Sequence, residues 1–121
     1  MQSLVTALII FLALCIAMVF NYLYINKTAD ELSALTEEIS LEDADCHQKI
    51  SELEKKWKKS SYIFSLSVSF KDIDYLGENL LALKSSAENK NQLEFERYRA
   101  LVIDAIDGVR RLEKFSIINI L

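Results

Sequence analysis

Two patterns of apolar and polar positions divide this chain. From Leu4 to Ile25, LVTALIIFLALCIAMVFNYLYI, apolar residues run on without a charge. Beyond it they recur every three or four positions among charged ones. A helix as long as the first stretch rises about 33 Å, matching the roughly 30 Å hydrocarbon thickness of a bilayer. Every Lys, Arg, Asp and Glu lies after it. The stretch is therefore expected to be a membrane anchor, with Phe20, Tyr22 and Tyr24, then Asn26 and Lys27, as its interfacial belt. A cleaved signal peptide would need a basic start and a small-x-small cleavage site, and neither is present. Leu12-Ala13-Leu14-Cys15 faintly matches a lipidation signal, but Leu14 is too large for its cleavage position. A buried core helix would not be so long and so uniformly apolar.

The remaining pattern predicts helices. Leu32, Leu35 and Ile39 share a face over residues 27–40. That helix is either continuous with the span or restarted by Thr28 with Glu31. Ser40 with Asp43 reads as a capping box for a second helix. Cys46, Ile50, Leu53, Trp57 and Phe64 then keep a three-or-four spacing. Phe64 to Phe70 alternates strictly, as a half-buried strand would. A lone strand has no partner in this chain, and Phe64 and Val68 continue the helical stripe, so helix is expected to about Val68. Ser69 with Asp72 would cap a third helix bearing Ile73, Leu76, Leu80, Leu83 and Ala87. Asn89-Lys90-Asn91 is the predicted turn, and Asn91 with Glu94 starts a fourth helix. Its stripe is Tyr98, Leu101, Val102, Ala105, Val109 and Leu112. Gly77 and Gly108 sit inside these two helices, where each costs about 1 kcal/mol relative to Ala; a close helix crossing would explain that cost, and so would chance. The last residues, Phe115 to Leu121, are too apolar for a solvated tail, and Ser116 is expected to cap a final turn folding them onto the bundle.

The expected architecture is all-α: a transmembrane helix in residues 1–26, then a small bundle of two antiparallel helical hairpins in residues 27–121. No fixed repeat period accompanies the resemblance to tandem helix pairs. Composition agrees, since Pro is absent and Gly occurs twice in 121 residues, too few turn residues for a β-rich fold. The net charge of −4 leaves no basic excess for nucleic acid, which is excluded as a partner. Cys15 in the span and Cys46 outside it are not expected to pair. The charges flanking the span give only a slight orientation signal; the expectation is a short N-terminus inside and an extracytoplasmic helical domain.

The densest possible metal cluster is Asp43, Asp45, Cys46 and His47. A zinc site needs three or four convergent ligands, and this is the sole His of the chain. An acidic helix start is the simpler reading. Cys46 and His47 as nucleophile and base would point about 100° apart on a helix. Lys55, Lys56, Lys58 and Lys59 surround Trp57, while seven acids lie between residues 30 and 45. The lysines could meet anionic headgroups or an acidic partner, but pairing with the chain's own acidic helix is the simpler account. Asn26-Lys27-Thr28 matches a glycosylation sequon, too close to the bilayer to be more than coincidence. No catalytic, cofactor-binding or metal residue is assigned, and no cofactor is expected.

The N-terminal span, Leu53-Glu-Lys-Lys-Trp57, the Ile73-Asp74 helix start with leucines following, and Glu113-Lys-Phe-Ser-Ile-Ile-Asn-Ile120 together resemble a small bacterial family catalogued as domain of unknown function 4363. Its members typically carry basic residues at the extreme N-terminus, where this chain has Gln2-Ser3. The resemblance implies a membrane-anchored helical protein with no assigned activity and transfers no catalytic residue. The functional expectation is a non-enzymatic docking or accessory module at the membrane, touching the lipid bilayer and a membrane protein partner. The alternative is a binder of lipid or a small apolar ligand in a gap between the hairpins.

Overall fold

The computed structural model describes residues 1–65 and 70–120, with side chains up to Arg111. Four helices account for nearly all of them: α1 (Gln2–Glu38), α2 (Cys46–Phe64), α3 (Phe70–Glu88) and α4 (Gln92–Ile120). No strand occurs among the described residues. The alternation that begins at Phe64 does not start a strand there, because Phe64 ends α2 fully buried in the helical stripe. Leu66 to Ser69, including Val68 and the predicted Ser69 cap, lie outside the described residues.

Each helix packs against two neighbours, α1 on α2 and α4, and α3 on α2 and α4, with no diagonal pair among the described residues. This is the ring of an up-down-up-down four-helix bundle made of two hairpins, α1–α2 and α3–α4. The predicted stripes meet inside it. Leu32, Ile39, Ile50, Leu53, Phe64, Leu76, Leu83, Val102 and Val109 are almost fully buried. Trp57 stacks edge-on against Phe64, ring centroids 5.7 Å apart and planes at 73°. Two buried hydroxyls are satisfied locally: Thr36 Oγ1 donates to the Leu32 carbonyl at 2.7 Å and Ser86 Oγ to the Leu83 carbonyl at 2.7 Å. These bonds satisfy both hydroxyls inside the core, whereas Ser33 Oγ and Arg110 Nε are buried without a hydrogen-bond partner among the described residues.

α1 is unbroken, the first of the two expected alternatives, so Thr28 and Glu31 start nothing and residue 26 falls inside one continuous helix. The helix ends differ from the sequence expectation in two places. α2 starts at Cys46, after an Asp45 that makes no side-chain cap. Ser40 and Asp43 instead form the preceding turn, Asp43 N–H donating to the Ser40 carbonyl at 3.2 Å. α4 runs straight to Ile120, so Ser116 caps no separate turn. Packing of the side chains after Arg111 lies outside the described residues.

The α3–α4 turn follows the expectation closely. Lys90 takes φ 54°, while its N–H donates to the Ala87 carbonyl at 3.2 Å and that of Asn91 to the Ser86 carbonyl at 3.0 Å. That pair is a Schellman stop for α3. Asn91 Oδ1 then accepts from Glu94 N–H at 3.2 Å, capping α4. One asparagine thus closes one helix and opens the next. Neither glycine marks a tight crossing. A Cβ on Gly77 would meet Trp57 Nε1 at an ordinary 3.6 Å, and one on Gly108 only Arg111 of its own helix at 4.0 Å.

Candidate functional site

The residues that set this molecule apart from an ordinary bundle are on α1. Its first two-thirds project from the bundle with large apolar side chains in the open: Leu8, Ile9, Phe11, Leu14 and Ile16 are each more than half exposed. Burial begins at Ile25, and from there Ala29, Leu32 and Thr36 enter the core at helical spacing. One helix therefore serves two environments, and it is long and apolar enough to cross a membrane. Just below the bundle, Cys15, Met18, Asn21 and Tyr22 are half-covered while their neighbours are open.

Cross-helix bonds fix the heights of the other helices along α1. Lys56 pairs with Glu31, and Lys49 Nζ donates to the Glu38 carbonyl at 3.4 Å. Both give the same antiparallel register, which sets Tyr62 and Phe64 level with Ile25 and Leu23. Gly77 lies against Trp57, so Phe70, seven residues back along α3, is level with Phe64. Arg110 Nη2 pairs with Asp30 Oδ1 at 2.6 Å. Ile120, ten residues on, therefore reaches about 15 Å further toward the N-terminal end. The end of α2, the start of α3 and the end of α4 thus lie where the apolar rod leaves the bundle, while residues 39–45 and 89–91 form the distal end.

The candidate ligand cluster sits at that distal end and does not converge. Cys46 is buried and His47 exposed. Lys49 occupies the space between the acids, 3.6 Å from Asp43 and 3.7 Å from Asp45. Burial, reinforced by Asp43 and Asp45, pushes the Cys46 thiol above its ordinary value, so it stays protonated and a poor nucleophile. Among the described residues no group of three or more His, Cys, Asp or Glu is placed to hold a metal ion. The lysines around Trp57 divide: Lys56 pairs with Glu31, and Lys58 with Glu54 at 3.6 Å, while Lys55 and Lys59 are exposed.

The other notable surface is the outer face of α3. Trp57, Ser61, Ile73, Gly77 and Leu81 line a shallow open groove between α2 and α3, with Asp74 and Glu78 beside it. Phe70, Tyr75 and Leu81 stand out into solvent along the same helix. Sequence periodicity could not reveal this face, because the stripe through Leu76 and Leu80 accounts for the core and leaves Tyr75 and Leu81 as scattered extras.

Fold and geometry define an α-helical bundle carried on an apolar helical rod. The chain belongs to the family described as domain of unknown function (DUF4363), whose profile matches residues 19–120. The match starts inside the rod and takes in the whole bundle. No curated protein and no solved structure shows significant similarity to the chain.

Proposed function

We propose that the chain is a single-span, membrane-tethered docking module without catalytic activity, in which α1 is the anchor and the bundle offers the α3 face to a membrane protein. The carrying observation is the unbroken α1, which joins an exposed apolar rod directly to the bundle core. A helix of this kind keeps its solvent-averse part in lipid and holds the folded part at a set distance. The α3 groove is open along its length, which favours a docking partner over an enclosed small ligand. Its exposed Leu81 provides apolar contact, with Tyr75 further round the same helix, and Asp74 and Glu78 suit a partner segment with basic residues at its rim.

A photo-crosslinking amino acid at Leu81 or Tyr75, in the full chain in its native membranes, tests this. A discrete adduct from the α3 positions, absent from Gln48 and Glu52 on exposed parts of α2, is the expected result. Equal labelling at all four positions overturns the docking face. Release of the protein from membranes by alkaline carbonate overturns the anchor.

A further inference from the structure

We infer that the rod-side end of the bundle is a second membrane contact, seated in the headgroup layer of the bilayer that α1 crosses. The inference rests on the anchor reading and adds what the heights of the helices require. A span needs about 20 apolar residues, so one that starts at Leu4 leaves the hydrocarbon near Leu23. Tyr62 and Phe70 stand at that same height on α2 and α3, and they are 82% and 73% exposed. Aromatic side chains left open on a bundle whose other large apolar residues are mostly buried are costly in water and favoured at a bilayer interface. Tyr22 and Tyr24 occupy the same level on α1. The backbone of α4 reaches lower still, and its last six residues, Phe115-Ser-Ile-Ile-Asn-Ile120, carry no charge.

Geometry leaves little choice of depth. The headgroup region adds only about 5–7 Å on each side of the hydrocarbon. An unbroken α1 cannot lift the bundle clear of it, because Ile25 is already fully buried in the core. Charge follows the same division. Near the rod, Lys27, Lys58, Lys59, Arg110 and Arg111 outnumber Asp30, Asp72 and Asp74, although the whole chain is acidic. The distal end holds Glu37, Glu38, Glu42, Asp43, Asp45, Glu88, Glu94 and Glu96 against Lys49, Lys90, Arg97 and Arg99. A basic collar at headgroup height is attracted to anionic lipid.

The test uses the full chain, with Cys15 and Cys46 replaced by Ala, reconstituted into vesicles of three parts phosphatidylcholine to one part phosphatidylglycerol. An environment-sensitive fluorophore is attached in turn to a cysteine at Tyr62, Phe70, Leu8 or Leu93. All four positions are exposed, so labelling leaves the core intact. Quenching by nitroxide lipids at 62 and 70 is expected to be several-fold above that at 93 and to approach that at 8. Labels at 62 and 70 that behave like the one at 93, while 8 is strongly quenched, overturn the inference and leave the anchor standing. An unquenched label at 8 overturns the anchor itself, and the interfacial contact with it.

Discussion

Trp57 lies where α2 faces α3, with Phe64 below it, Gly77 across from it and only 6% of its surface exposed. Replacing it with Ala removes the largest side chain of the core and leaves a void the bundle cannot fill from one side. The expected loss is about 3–5 kcal/mol, read as a fall in the urea midpoint of the detergent-solubilised chain. Gly108 is the opposite case. Its helical position has room for a methyl group, so Gly108→Ala is expected to stabilise by about 0.5–1 kcal/mol in the same measurement. Glu31 supplies a pH signature. The hydrogen bond and charge of Lys56 hold its carboxyl below the ordinary glutamate range. A carboxyl whose pKa is lowered by folding stabilises the protein above its unfolded value of about 4.3, and that stability is lost as pH falls through the lower folded value. Lys56→Met should therefore be less stable than the native chain at neutral pH, with the gap closing below about pH 4. A gap independent of pH would mean that the methylene stem of Lys56, not its charge, does the stabilising.

Among the elements, α1, like the other three helices, has no basic residue in its last turn to meet its free carbonyls. The partners come from elsewhere. Arg99 on α4 donates through Nη1 to the Glu37 and Ile39 carbonyls, both at 3.3 Å, and Lys49 on α2 reaches the Glu38 carbonyl. Three helices are tied together at one helix end, where the negative end of the dipole favours cations. Arg99→Met should cost about 1.5–3 kcal/mol and speed amide exchange first in the last turn of α1. Such a cap is invisible to a reading of neighbouring residues, since Arg99 and Ile39 are 60 positions apart. What depends on spacing alone was legible: the stripes through Trp57 and Leu83, and the Asn91–Glu94 start of α4. The Ser40–Asp43 start misled because a loop that must turn sharply uses the same residues as a helix entrance. Phe95, fully buried in the first turn of α4, escaped notice because it precedes the regular part of the stripe. The α3 face had no local signal at all, since exposure of Leu81 and Tyr75 depends on which side of α3 its neighbours cover.

For the whole molecule, the division into rod and bundle is one of surroundings and not of chain. A cut after Asn26 would remove Ile25 from the core, although the apolar pattern places that residue in the span. A fragment starting at Asn21 should be more stable than one starting at Lys27 by about 1.5–3 kcal/mol, the worth of one buried large aliphatic side chain. Equal urea midpoints for the two would show that Ile25 is dispensable to the core. The same continuity has a further consequence. A flexible linker would leave the bundle free to swivel above its anchor, whereas a helix advances about 100° per residue without slack. The compass bearing of the α3 face is thereby geared to the side of the rod that carries Met18 and Tyr22. One residue added after Leu23, on the rod side of Ile25, would swing that face by more than a quarter turn around the rod axis, while barely changing its distance from the rod's far end. With α1 as the proposed anchor, the protein would specify a direction within the plane of the membrane as well as a location on it.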